Sequence, residues 1–179
     1  MHYLNIHPSP NLIFKLISLE DENLIFKLRS NEEVIKFTDI SLYTDIAQAR
    51  DYINKILELM QDNKCILWSI SLYDETQIGS ICLWNYSEDL KSVELGYDLL
   101  PEFWGRGYAK EAIGTVTAFA FKRLNFERIA AVTRADNVRS NKVLKRSGFS
   151  LDEIFFENDI LVNKYIVLSD CSENNNNIV

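Results

Sequence analysis

Residues 104–112 read "WGRGYAKEA". Two glycines, Gly105 and Gly107, and two cations, Arg106 and Lys110, fall within nine positions. A strand-like segment, "SVELGYDLL" (Ser92–Leu100), comes before the stretch, and a helical pattern follows it. That pattern carries Ala109, Ala112, Ile113, Val116, Ala120 and Leu124 on one apolar stripe. The first turn of a helix leaves backbone N–H groups without intrahelical partners, and the helix dipole adds partial positive charge. An anion placed there is stabilised. Its oxygens need close access to the backbone, which Gly105, Gly107 and Ala109 allow at alternate positions. The stretch therefore reads as a phosphate-binding helix start. Taken alone, Gly-x-Gly also suits a plain strand-to-helix turn.

The charge distribution favours the anion. The chain has 179 residues and a net charge of −7. Residues 101–150 hold 10 Lys+Arg against 4 Asp+Glu, a surplus of +6, and the remainder holds 9 against 22, a deficit of −13. An acidic chain has gathered its positive charge behind this loop. A dinucleotide fingerprint does not fit, although Glu127 lies about 20 residues on, because Lys110 occupies the third glycine position. A phosphate loop of the Gly-Lys-Ser/Thr type is absent.

Outward from the loop, the chain reads as one domain over residues 1–168, with a low-complexity polar tail at 169–179 expected to be disordered. Strands are expected at Leu12–Leu19, Cys65–Tyr73, Ile78–Tyr86, Ser92–Leu100, Arg128–Arg134, and in a last hairpin over 151–168. Helices are expected at 20–30, at Asp45–Met60 with Thr44 as N-cap, after Gly107, and at 137–147 capped by Asp136 or Asn137. Gly148 and Phe149 form the expected stop of the last helix. The order β-α-α-β-β-β-α-β-α-β-β predicts an α/β (α+β) fold with a mixed, mostly antiparallel sheet of about seven strands.

Composition bounds the function. Net negative charge argues against direct nucleic-acid binding. No apolar run has membrane-spanning length and no signal peptide is visible, so a cytoplasmic protein is expected. Cys65, Cys82 and Cys171 form neither a disulfide framework nor a metal pattern, and His2 and His7 stand alone in the N-terminal segment. No metal is expected.

"GYDLLPEFWGRGYAKEA", then Asn-x-x-Ser at Asn137–Ser140, then Gly148–Phe149, together resemble the GNAT N-acetyltransferases. Within them the chain is most similar to the Rim-type branch that acetylates ribosomal-protein N-termini. Trp104 supports that branch, since the wider family often has Gln or Arg there. The resemblance implies the fold just described and acetyl-CoA as co-substrate. It implies that the loop Trp104, Gly105, Arg106, Gly107, Tyr108, Ala109 and Lys110 binds the pyrophosphate. It also implies that Asn137 contacts the pantetheine arm and that N–H groups near Leu99 polarise the acetyl carbonyl, between two splayed strands.

The acceptor is expected to be a primary amine, with a protein N-terminus first and a small amine such as an aminoglycoside or polyamine as the alternative. A non-catalytic acyl-CoA-binding module is the alternative of another class. The oligomeric state, monomer or homodimer, stays open.

Two candidate catalytic groups remain. Glu94 sits mid-strand on a polar face with Ser92, Gly96 and Asp98, where Gly96 suits a bulge. Glu94 reads as a base, as an anchor for the amine, or as half of an ion pair with Lys91 or with a cation across the sheet. By resemblance Ser140 lies near the sulfur and hydrogen-bonds the thiolate; the other reading is a helix residue making local backbone bonds. Many family members place a tyrosine acid four residues before the glycine of Gly-Phe, and Leu144 stands there in this chain.

Overall fold

The computed structural model describes residues 5–87, 89 and 91–169. His2, Cys171 and all of the C-terminal tail except Ser169 lie outside them. Seven strands form one sheet: β1 (Ile13–Leu16), β2 (Cys65–Ser71), β3 (Gln77–Ser87), β4 (Ser92–Leu99), β5 (Arg128–Arg134), β6 (Ser150–Glu157) and β7 (Ile160–Leu168). Their spatial order is β1-β2-β3-β4-β5-β7-β6. Every neighbouring pair is antiparallel except β4 and β5.

The helices are α1 (Glu22–Arg29), α2 (Glu32–Ile35), α3 (Ile46–Gln61), α4 (Tyr108–Leu124) and α5 (Val138–Arg146). β2 is buried along its whole length, as a central strand covered on both faces must be. Side chains alternate across a strand. On β2, the Cys65 thiol meets Ile56 of α3, and the Trp68 ring packs edge-on against Phe119 of α4. Positions 65 and 68 point to opposite faces, so α3 and α4 cover opposite faces of the sheet.

Local chemistry accounts for the element ends. β1 is shorter than the apolar run predicts, because Ser18 and Asp21 form a capping box that turns the chain into a 3-10 turn. The N-cap of α3 is Asp45, not Thr44. Its side chain takes the Ala47 N–H, while Gln48 reaches back to the N–H groups of Thr44 and Asp45. α2 was not expected; four residues carry too little periodicity to be read.

Asn137 is the N-cap of α5. That helix ends in a full Schellman motif: the Phe149 N–H bonds the Leu144 carbonyl, the Gly148 N–H bonds the Lys145 carbonyl, and Gly148 has φ 88°. The bulge expected at Gly96 is absent, since pairing with β3 runs unbroken from Glu94 to Leu99. Gly96 is small for a different reason. A Cβ there would lie 3.0 Å from the Cys82 sulfur.

Candidate active site

β4 and β5 pair only at Ser92–Arg128, Val93–Ile129 and Glu94–Ala130. Beyond Glu94, β4 stays on β3 as far as Leu99, and β5 stays on β7 as far as Arg134. The two parallel strands therefore part, and a wedge opens in mid-sheet. The Leu100 N–H bonds the Ile78 carbonyl at 2.9 Å, so the backbone groups of Asp98 and Gly96 also face β3. By alternation those of Tyr97 and Leu99 face the wedge. The Leu99 carbonyl accepts the Trp104 indole N–H at 2.8 Å.

The loop after β4 meets this opening. Gly105 has φ 76° and Gly107 has φ 90°, values that side-chain-bearing residues rarely adopt. A Cβ on either would meet nothing within 4 Å, so the space beside the loop is open. Gly107 is the N-cap of α4 and offers no side-chain cap. Glu111 is the first residue to bond back, its N–H to the Gly107 carbonyl at 3.0 Å. The N–H groups of Tyr108, Ala109 and Lys110 thus have no intrahelical acceptor. The Arg106 guanidinium lies 5.6 Å from the Phe103 ring centroid, and that of Arg139 lies 4.3 Å from the Trp104 ring centroid.

Glu111, the acid of this first turn, is engaged elsewhere. It accepts Ser9 Oγ at 2.6 Å, the Asn11 N–H at 2.8 Å and Asn11 Nδ2 at 2.9 Å. Burial opposes its charge, but these bonds outweigh burial and hold its pKa below the ordinary value.

On the other lip, Asn137 Oδ1 accepts the Ser140 N–H at 3.1 Å, and Ser140 Oγ lies 3.0 Å from Tyr97 Oη. On the opposite face of β4, Glu94 accepts Asn85 Nδ2 at 2.7 Å. Lys91 pairs with Glu127 instead of Glu94.

Residues 11–150 match the acetyltransferase (GNAT) domain family. The uncharacterized N-acetyltransferase YoaA of Bacillus subtilis (strain 168) is 33% identical over 80% of this chain and 81% of its own. The chain belongs to the GNAT acetyltransferase family. It is an N-acetyltransferase by that membership. Two solved structures share the GNAT fold at low identity. The ribosomal-protein-S5-alanine acetyltransferase from Vibrio fischeri has a TM-score of 0.81 and 18% identity, covering 93% of this chain and 97% of that one. The spermidine N-acetyltransferase from Vibrio cholerae, in complex with CoA and spermine, has a TM-score of 0.79 and 20% identity, covering 89% and 96%.

The structure brings Leu99, Trp104 to Lys110, Asn137 and Ser140 around one opening of the GNAT sheet. Glu94 stands where the opening begins, on the face covered by α3. Among the described residues no cluster of His, Cys, Asp or Glu could hold a metal, and no helix is long and apolar enough to cross a membrane.

Several site residues went unread in the sequence. Tyr97 looks like an apolar strand position, and Arg139 like a spacer in Asn-x-x-Ser. Asn141 is a hub. Its Nδ2 bonds the carbonyls of Arg134, Ala135 and Asn137, and its Oδ1 accepts Asn163 Nδ2 and Tyr165 Oη. A short amide inside a helix was the available signal, since such residues seek backbone partners.

The α3 face of the sheet also holds a groove of about 1250 Å³. Arg29, Tyr52, Ile56, Cys82, Trp84 and Asn85 line it. Asp98 meets the lining residue Arg29 and has both oxygens engaged, Oδ1 by Ser80 at 2.6 Å and Oδ2 by Arg29 at 3.7 Å. Burial, with Asp98 adding to it, pushes the Cys82 thiol up to about 12, so Cys82 is no nucleophile at neutral pH. Among the described residues of the lining the carboxylate is Asp62, paired with Lys64 at 2.9 Å.

Proposed function

We propose that this enzyme moves the acetyl group of acetyl-CoA onto the N-terminal amino group of a protein or peptide. The observation that carries the acceptor is the groove beside Glu94. It holds about 1250 Å³, and among the described residues its lining carboxylate is Asp62, already paired with Lys64. A polyamine carries several positive charges, and each buried charge needs a partner. A peptide needs apolar walls and a few hydrogen-bonding groups, which Ile56, Trp84 and Asn85 supply. The small-amine reading rests on the acidity of the rest of the chain, whereas the described lining of this groove sets Arg29 and Lys64 beside Asp62.

The loop fits a diphosphate. Three unpaired N–H groups converge there, the glycines leave room, and Arg106, Lys110 and Arg139 supply charge. Acetyl-CoA, when bound, supplies an activated acetyl thioester. Leu99 offers its N–H from the wedge to the acetyl oxygen, where negative charge develops. Asn137 holds the first turn of α5 and borders the path of the pantetheine arm. Ser140 hydrogen-bonds the departing sulfur. Glu94, oriented by Asn85, takes the proton of the attacking amine directly or through water.

The test is thiol release with peptides bearing free N-termini, the same peptides N-terminally blocked, and spermidine. Turnover of the free peptides and none of the blocked ones is expected. Spermidine turning over as well as the best peptide overturns the acceptor assignment.

A further inference from the structure

We propose that Tyr97 is the proton source behind Ser140, so that the two hydroxyls form a relay that protonates the departing thiolate. This rests on the reading of Ser140 as the group beside the sulfur. Tyr97 Oη and Ser140 Oγ lie 3.0 Å apart, although 43 residues separate them in sequence. They come from opposite lips of the wedge, Tyr97 from β4 beyond its last pairing with β5 and Ser140 from the first turn of α5. Asn137 holds the Ser140 backbone at 3.1 Å. Leu144, on the same helix, is core and offers no proton.

The chemistry requires a second group. An alkyl thiol has a pKa of about 8.5 and a phenol of about 10, so a phenol lies within reach as a donor. An aliphatic hydroxyl is a far weaker acid, and Ser140 alone would leave an alkoxide behind. With Tyr97 at its back, Ser140 passes a proton on and never holds the negative charge. Burial raises the Tyr97 pKa and the Ser140 bond only partly offsets it, so the phenol keeps its proton at neutral pH.

The step balances. The amine nitrogen bonds to the carbonyl carbon, and the carbon–sulfur bond breaks with its electron pair going to sulfur. Ser140 Oγ gives its proton to the sulfur and takes one from Tyr97 Oη. Glu94 or water accepts the proton of the amine, and solvent returns one to Tyr97 after the thiol leaves. Amine and thioester become amide and thiol, with no oxidant or reductant. Tyr97 acts through Ser140 and is a positioning residue in this scheme.

The experiment compares the full-length wild type with Tyr97→Phe, Ser140→Ala and the double variant. It uses three readouts: CoA affinity by calorimetry, the thiolate fraction of bound CoA by ultraviolet difference absorbance at one mildly alkaline pH, and kcat. Phenylalanine keeps the ring and its packing, and melting curves verify the fold. Tyr97→Phe is expected to lower kcat by about 10²-fold, at the low end for a lost acid. CoA affinity should stay within a few fold, and the bound thiolate fraction should fall in both single variants. The double variant should be no slower than Ser140→Ala, because the two residues act in series. Tyr97→Phe with wild-type turnover and thiolate fraction, beside a slow Ser140→Ala, overturns the relay and leaves the Ser140 reading standing. Losses that multiply in the double variant also overturn it. Wild-type behaviour of Ser140→Ala overturns the Ser140 reading itself, and the relay with it. The thiolate readout decides without turnover.

Discussion

The guanidinium of Arg139 lies 4.3 Å from the centre of the Trp104 ring, so a residue of α5 is stacked on the loop that follows β4. The same indole donates its N–H to the Leu99 carbonyl at 2.8 Å. One side chain thus ties the end of β4, the glycine loop and α5 together across the wedge. Arg139→Ala removes a cation–π contact, worth about 0.5–2 kcal/mol, and a positive charge beside the loop. A stability loss of that size is expected in denaturant titration, and CoA affinity is expected to fall with the lost positive charge, as calorimetry would record. Trp104→Phe keeps a ring for Arg139 but leaves the Leu99 carbonyl without its donor. A stability loss of about 1–3 kcal/mol is expected in denaturant titration.

Gly107 and Gly148 separate strain from function. Both have φ near 90°, and both have open space around a built Cβ. A side chain at either position costs about 1–2 kcal/mol of backbone strain. Only Gly107 borders the unpaired N–H groups of α4. Gly107→Glu is expected to lower the melting temperature and to abolish the stabilisation by acetyl-CoA, through bulk and like charge. Gly148→Ala is expected to lower the melting temperature and keep the ligand shift. Equal ligand shifts in the two variants would remove the loop from cofactor binding.

Glu111 links the N-terminal segment to the start of α4 through Ser9 and Asn11. Its pKa in the folded state lies below the ordinary glutamate value of about 4.3. A depressed folded pKa means that the ionised carboxylate stabilises the fold above the unfolded value. That stability is lost as pH falls through the folded value. Glu111→Gln is therefore expected to melt below wild type at neutral pH, with the gap closing in acid. A gap that stays constant down to pH values below the folded pKa would show that the charge on Glu111 contributes nothing.

What the sequence revealed was local. The helix start at Gly107, the Asn137 cap, the Gly148 stop and the meander of β2 to β4 each depend on a few adjacent residues. The seven strands followed from runs and turns of the same kind. The wedge itself was implied only by family resemblance, because it depends on where β5 leaves β4. Tyr97 with Ser140, Trp104 with Arg139 and Asp98 with Arg29 were invisible, since each pair meets only once the sheet is ordered. Asp98 shows the cost of reading one strand alone. In sequence it shares the polar face with Glu94. In the fold, Ser80 and Arg29 occupy its oxygens.

That occupancy leaves Glu94 as the carboxylate on this face of β4 able to take a proton. Its carboxylate accepts from Asn85, a neutral amide that orients it without neutralising its charge. An ion pair with Lys91 would have made it structural, but Lys91 reaches Glu127. A positioned base typically contributes about 10²–10⁴-fold to rate. An exposed ion pair contributes only about 0–1 kcal/mol to stability. Glu94→Gln keeps the shape and the contact with Asn85 while removing basicity. A large fall in kcat is expected, with acetyl-CoA affinity and melting temperature held. Activity should recover in part at high pH, where the free amine is abundant and solvent takes over deprotonation. Asn85→Ala should show a smaller fall, since it loosens the carboxylate without removing it. A Gln variant within a few fold of wild type at every pH would take Glu94 out of the proton path. With Asp98 held by Ser80 and Arg29, the amine would then lose its proton to water in the wedge, and turnover would follow the ionisation of the acceptor alone.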